Sequence, residues 1–526
     1  MASYNLSELF EIVVDQFPDR EAMVGGDRRL TYAELEERSN RLAHHLATEG
    51  VGPGDFVGLQ LVNGTEYVEG MLACFKLRAV PVNVNYRYVE GELRHLYEDA
   101  GLVALLVNER FAERAEAVRP DHLRHLLVVE RDYEDALAAA APERDFGGRS
   151  SDDVYCAYTG GTTGLPKGVL WRHEDIFFAA LGGGDVLQMG DHIKTPEELA
   201  ERVPDPGMVV LATPPFMHVS AHWLAFIALF GGGKIVVTPE GRFDPPLIWR
   251  TVADEKVNTL VIVGDAMARP IADAYAEGGA GGGGGGGAAY DISSLIVIGS
   301  GGALLSPSTK QRLAELLPAV MVIDGLGSSE TGTVGRGAIG ESGPRFTLND
   351  ETMVLDDDLR PVEPGSGITG RLARRGHIPL GYHNDAEKTA ATFVEVDDVR
   401  WVLPGDMATV EDDGSISLLG RGSGSINTGG EKVFPEEVEA AAKAHPDVLD
   451  AVVVGVPDER WGEKVTAVVQ LRGGAGGLVL DALQEHCRTL VAGYKVPRGL
   501  VVVDEVVRSP SGKADYRWAK QVAGAT

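Results

Sequence analysis

Ten consecutive residues, Thr159-Gly160-Gly161-Thr162-Thr163-Gly164-Leu165-Pro166-Lys167-Gly168, hold three threonines, four glycines and one lysine. Glycine lets backbone approach an anion closely, hydroxyls and N–H groups donate to phosphate oxygens, and a lysine adds positive charge. The spacing predicts a loop that wraps a polyphosphate. It is not the Walker pattern, because Gly168 follows Lys167 and the glycines are spaced differently. Four other places set glycine beside charged or hydroxyl side chains: Gly299-Ser300-Gly301-Gly302-Ala303-Leu304-Leu305, Asp324-Gly325-Leu326-Gly327-Ser328-Ser329-Glu330-Thr331, Gly405-Asp406 with Gly420-Arg421 after it, and Ser509-Pro510-Ser511-Gly512-Lys513. The first two follow apolar runs that read as strands. Their glycines therefore fall at the carboxyl ends of strands, where open α/β sheets bind ligands.

Regular elements must hold these loops in place. From Gly207 onward, apolar runs at Met208–Ala212, Lys234–Thr238, Thr259–Val263, Leu295–Ile298 and Val320–Ile323 alternate with helical segments such as Pro246–Glu255 and Ser306–Leu316. This alternation predicts an α/β fold with largely parallel sheets. Ser306 followed by Pro307 is a helix start, and Thr31 with Glu34 has capping-box spacing ahead of Leu35, Leu42 and Leu46. Residues 139–153 read as a loop, and the glycine run Gly278–Gly287 as a surface loop between core elements. The texture changes at Gly420-Arg421-Gly422-Ser423-Gly424-Ser425, a polar joint. After it come a helix started by Pro435, strands at Ala451–Val454 and Val465–Gln470, a helix near Leu480–Leu490 and a strand at Leu500–Val503. The expected organisation is a large domain over 1–420 and a small, mobile α+β domain over 421–526.

The length of 526 residues exceeds one ordinary domain, and 44% hydrophobic with 24% charged residues fits a globular enzyme. With 48 basic and 78 acidic residues the net charge is −30, which argues against nucleic acid and anionic membranes as partners. Cys74, Cys156 and Cys487 form neither a disulfide framework nor a metal spacing, and the start of the chain has no signal-peptide pattern. The most apolar stretch, Val219–Phe230, is too short to span a bilayer and reads as a buried helix. A cytoplasmic location follows from these readings. Association into a homodimer is compatible with them.

Taken in order, the motifs resemble those of the adenylate-forming superfamily: acyl-CoA synthetases, luciferase-type enzymes and peptide-synthetase adenylation domains. The resemblance covers essentially the whole chain. It implies ATP, Mg²⁺ and coenzyme A as ligands, with a carboxylic acid as substrate. By the resemblance, Thr159 to Gly164 and Lys167 wrap the β- and γ-phosphates. Gly302, Ala303 and Gly325 to Ser329 line adenine, with Asp324 accepting from its amino group. Leu326 stands where relatives often carry an aromatic ring. Glu330 matches the glutamate that binds Mg²⁺, a fitting ligand for a hard cation. Asp406 takes the ribose hydroxyls and Arg421 supports it. Lys513 reaches the α-phosphate and the substrate carboxylate, where negative charge builds. Ser423 occupies the pivot position, and Gly430 and Lys432 belong to a loop that faces the pantetheine channel. His218, in Pro214-Pro215-Phe216-Met217-His218, matches the residue that gates the path between acyl pocket and CoA tunnel, with His222 and Trp223 expected on the same wall.

Residues 171–177 and 426–434 are similar to those of actinobacterial ligases acting on fatty acids and on steroid side-chain acids of the 3-oxocholest-4-en-26-oate type. The resemblance thus implies an acyl-CoA ligase for a large apolar acid. Transfer to a carrier protein, or release at the acyl-adenylate stage, stands as the alternative. No carrier domain follows Lys513 in this sequence.

Overall fold

In a computed structural model, residues 2–524 are described apart from 161–164, 186–190, 239–242, 280–289, 304, 341–342, 429–430, 459, 474–476 and 509–512. The glycine-run loop therefore lies almost wholly outside the described residues. The described strands form three sheets of fifteen, seven and five strands. At the heart of the largest, six strands run parallel in the order Glu21–Gly25, Lys234–Val237, Val209–Ala212, Thr259–Ile262, Val297–Gly301 and Met321–Ser328. From Met321–Ser328 onward the same sheet continues antiparallel. The second sheet is parallel across five strands as far as Val154–Gly160, which turns back antiparallel into Pro166–Arg172, and Gly381–Tyr382 pairs antiparallel at that edge. The fold is α/β, with a large N-terminal domain and a small C-terminal one. The small five-stranded sheet takes its strands from Ile426–Thr428 onward.

Local chemistry sets the element starts. Thr31 caps Tyr32–Thr48 through the capping box, with the Thr31 hydroxyl accepting from Glu34 N at 3.2 Å and Glu34 accepting from Thr31 N at 2.8 Å. Leu35, Leu42 and Leu46 are buried on its inner face. Ser306 caps Pro307–Leu316, and Pro435 opens Pro435–Lys443. Val219–Phe230 is a buried helix, as its length predicts. Residues 140–153 carry no helix or strand, and all three cysteines are buried and free. No helix of the described residues is long and apolar enough to cross a membrane.

Several strands depart from the sequence reading: Val320–Ile323 becomes Met321–Ser328, and Ala451–Val454 lengthens to Val448–Asp458. The apolar run Leu295–Ile298 becomes Val297–Gly301, starting two residues later. Gly299 and Gly301 are strand residues that no apolar count selects.

Candidate active site

The site is built on the antiparallel hairpin, in which Thr159 lies opposite Lys167 and Gly160 opposite Pro166. The tip residues Gly161, Thr162, Thr163 and Gly164 lie outside the described residues. Gly168 must be bare, since a Cβ there would meet the Tyr158 ring at 2.8 Å and Cys156 Sγ at 2.9 Å. Lys167 Nζ donates to Asp385, the N-cap of Ala386–Thr392. The hydrogen bond from Lys167 holds the Asp385 carboxyl below its ordinary value.

Glu330 sits in the turn between Met321–Ser328 and Gly332–Gly340. It is buried, and Tyr382 Oη donates to its Oε1 at 3.0 Å. Tyr382 pairs with Val169 of the hairpin, and Trp171 Nε1 donates to Ser329 O at 3.0 Å. The Lys167 strand and the Glu330 turn are thus tied to each other at two points. Gly327 allows the turn to close, because a Cβ would lie 2.3 Å from Gly332 O. Gly302 has φ +81°, in the left-handed region that favours glycine. Behind the turn, buried Lys310 lies 3.5 Å from Asp324. Burial pushes the Asp324 carboxyl up to about 6, with Lys310 opposing the rise.

A single cavity of about 1740 Å³ is lined by Thr159, Lys167, His218, Gly302, Ala303, Asp324, Gly325, Leu326, Gly327, Ser328, Ser329, Glu330, Asp406 and Lys513. The structure therefore brings together most of the described residues that the motifs single out. Asp406 and Arg421 face each other across paired strands. The side chains of Arg421, Ser423 and Lys432, and the whole of Gly430, lie outside the described residues. His218 precedes Val219–Phe230 at the N-cap position without a side-chain cap, and its Nε2 is buried with no hydrogen-bond partner. Burial, then the nearby charges of Lys513 and Arg87, push the His218 imidazole down to about 3. It is neutral at physiological pH, with an unused ring nitrogen.

The expectation for His222 is corrected. It turns into the core, where Tyr155 Oη lies 2.5 Å from Nε2 and Nδ1 donates to Phe216 O at 2.7 Å. One residue of helix is 100° of rotation, so Trp223 reaches the cavity and His222 does not.

Away from the charged end the cavity becomes apolar. One wall is a face of the parallel sheet with Thr259, Val261, Val297, Gly299, Met321 and Ile323, alternate residues of three neighbouring strands. The other wall is Trp223, Leu224 and Ile227 of the buried helix. A Cβ placed on Gly299 would meet nothing within 4 Å, so the glycine leaves open space along this arm.

The family model described as AMP-binding enzyme matches residues 10–383, well over half of the chain, and the model of its C-terminal domain matches 437–513. The chain belongs to the AMP-binding enzyme family. The first match contains the hairpin, Asp324 and Glu330 of this AMP-binding enzyme, and the second ends on Lys513. Among curated relatives, the 3-oxocholest-4-en-26-oate–CoA ligase of Rhodococcus rhodochrous is 49% identical, over 99% of this chain and 96% of that protein. The medium/long-chain-fatty-acid–CoA/3-oxocholest-4-en-26-oate–CoA ligase of Mycobacterium tuberculosis (strain CDC 1551 / Oshkosh) is also 49% identical, over 98% and 96%. Among solved structures, the anthranilate CoA ligase AuaEII in complex with anthranoyl-AMP has the same fold, with TM-score 0.86 at 23% identity, 99% of this chain and 98% of that one being covered.

Several cavity residues carry no local signal in the sequence. Tyr382 meets Glu330 from 52 residues away, and Arg87 and Arg336 line the cavity from segments without a motif. Asp385, which accepts from Lys167, likewise stands outside every motif.

Proposed function

We propose that this AMP-binding enzyme is an acyl-CoA ligase that joins a large apolar carboxylic acid to ATP, releasing pyrophosphate, and then passes the acyl group to coenzyme A. The observation that carries the reading is the two-ended cavity. Its charged end collects Lys167, Glu330, Asp406 and Lys513, and its other end is an apolar arm left open at Gly299. Long-chain fatty acids and steroid side-chain acids, named for the two relatives above, match that arm.

In the first step a carboxylate oxygen attacks the α-phosphorus of ATP, and the bond to the bridging oxygen of pyrophosphate breaks. Two anions meet in this step, so the residues act mostly by position and charge. Lys167 is assigned to the β- and γ-phosphates, Asp406 to the ribose, Asp324 to the adenine amino group and Lys513 to the α-phosphate and the acid. Glu330 fits Mg²⁺, because one buried carboxylate oriented by Tyr382 leaves the remaining sites to phosphate and water oxygens; the ion would neutralise phosphate charge. In the second step the thiol of CoA attacks the acyl carbon and AMP leaves. His218, neutral and bare at Nε2, lines the cavity together with Trp223 of the helix it precedes, which suits a gate. For this second step we assign the small domain, from residue 421, a rotation about Ser423 that brings Gly430 and Lys432 to the pantetheine arm. We place the reaction in the cytoplasm.

The test is a screen of fatty, aromatic and sterol-derived acids for pyrophosphate release in the presence of CoA, with product analysis. Thioesters of long or steroidal acids are expected. No ATP consumption with any acid would sink the reading. Accumulation of acyl-AMP with CoA present, or acylation of a carrier protein only, would move it to the alternative.

A further inference from the structure

The lysine assigned to the α-phosphate belongs to the small domain, so its position depends on how that domain is docked. The large domain's helix Gly264–Gly279 carries a single arginine, Arg269, and it is placed to do this. Arg269 is 5% exposed, and its guanidinium fans out over four acceptors. Nε donates to Thr309 Oγ1 at 3.1 Å within the large domain. The two terminal nitrogens donate across the domain boundary, to Lys443 O at 3.3 Å, Val448 O at 3.5 Å and Leu449 O. Those carbonyls lie at the end of Pro435–Lys443 and at the start of Val448–Asp458. A helix C-terminus leaves its last carbonyls without partners, and a buried cation there satisfies them and the helix dipole.

Contacts continue from that turn to the lysine. Asp450, two residues past Val448, accepts from Arg508 at 2.5 and 2.7 Å. Arg508 forms a β-bridge with Ala514, the neighbour of Lys513. Lys443 lies between the two domains' acids, 4.0 Å from Asp265 and 3.8 Å from Asp450. Asp265, one turn before Arg269, is 3.5 Å from its guanidinium. These groups are buried or nearly so, hence little screened by solvent.

We propose that Arg269 is a positioning residue for adenylate formation: it docks the turn of residues 443–449 on the large domain and, through Asp450 and Arg508, places Lys513 in the cavity. The inference rests on the role given to Lys513 above. Arginine suits the task because its planar donors meet several fixed carbonyls at once, which an ammonium on a flexible stem does not.

The test separates the half-reactions. Acid-dependent pyrophosphate release is measured for Arg269→Ala, Asp450→Asn and Lys513→Ala, alongside thioester formation from supplied acyl-adenylate and CoA. Melting curves check that each variant is folded. Arg269→Ala is expected to slow pyrophosphate release by roughly 100-fold, the scale of a catalytic group misplaced by about 1 Å. It should leave the thioester step within about twofold, since removing the dock costs nothing in a step that does not use Lys513. Asp450→Asn keeps the side-chain shape, weakens the hold on Arg508 and should show the same split in milder form. If Arg269→Ala does not fold, Asp450→Asn carries the test. The proposal is overturned if pyrophosphate release is unchanged, if both half-reactions fall together in folded protein, or if Asp450→Asn shows no split. If Lys513→Ala itself keeps full pyrophosphate release, the role of that lysine fails. If Lys513→Ala stops release and Arg269→Ala does not, only the present inference fails.

Discussion

Two carboxylates of the cavity, Glu330 and Asp324, carry different burdens at the residue scale. Glu330 is buried, accepts from Tyr382 and is tied to the phosphate hairpin, so removing its charge should act on the step in which pyrophosphate leaves the α-phosphorus. Glu330→Gln is expected to lower acid-dependent pyrophosphate release by about 100-fold or more, the scale of one preorganised charge contact. Tyr382→Phe should cost about tenfold, the equivalent of a single hydrogen bond to a charged group. A Tyr382→Phe enzyme as slow as Glu330→Gln would show that the phenol touches substrate itself. Asp324 titrates near 6 because it is buried, despite the neighbouring Lys310. Its folded value lies above the ordinary 3.8, so the folded chain holds this proton more tightly than the unfolded one. The contribution of Asp324 to stability therefore falls as pH rises between about 4 and 6. Binding runs the other way, because only the ionised carboxylate offers both oxygens as hydrogen-bond acceptors to an amino N–H. The KM for ATP should rise as pH drops below 6, by up to about tenfold per pH unit. In Asp324→Asn that inflexion should vanish, and its persistence would mean another group sets it.

At the scale of elements, the apolar arm is a gap between a sheet face and a helix, and Gly299 is the place where the gap can be closed. Gly299→Leu puts a side chain into space where even a Cβ meets nothing within 4 Å, so the fold should tolerate it. The kcat/KM for long-chain or steroidal acids should drop by about 100-fold while short acids lose little, since the loss is steric and confined to the arm. Equal losses across chain lengths would place the acyl group elsewhere. The same glycine explains why the sequence was legible in some elements and not in others. The caps Thr31 and Ser306 and the first-turn Pro435 announce their helices through chemistry that is local to a few residues, and the structure has all three starts. The strand Val297–Gly301 starts two residues and ends three residues after its apolar run because two of its cavity-facing positions, Gly299 and Gly301, are glycine, and an apolar count stops where the ligand space begins. Lys167 and Glu330 stood out because their loops are glycine-rich. Tyr382, Arg87 and Arg269 did not, because what selects them is a partner far away in sequence, and one chain without its fold carries no record of that pairing.

At the scale of the whole molecule, the charged end of the cavity is shared between domains, with Asp406 on one side of the joint and Lys513 on the other. The arrangement seen here, with Lys513 near enough to lower His218, is the one that the role proposed for this lysine in adenylate formation would use. The thiol of CoA must then reach the same acyl carbon, yet the small domain stands over that end of the cavity. A single arrangement that serves both steps would have to hold the lysine and admit a pantetheine arm together. A rotation at the joint separates the two demands. Gly422–Gly424 forms one short 3₁₀ turn between the strands Ile416–Arg421 and Ile426–Thr428, so the change in backbone angles is confined to about three residues. Proline fixes φ near −65° and restricts the residue before it as well. Ser423→Pro should therefore keep pyrophosphate release within about threefold while slowing CoA-dependent thioester formation by roughly 100-fold, as expected when a hinge gates one step. Supplying acyl-adenylate should not restore the rate, because the block lies in movement and not in the supply of the intermediate. A Ser423→Pro enzyme with both half-reactions intact would move the pivot away from this turn, and one that loses pyrophosphate release first would mean the turn sets the docked arrangement rather than the exit from it.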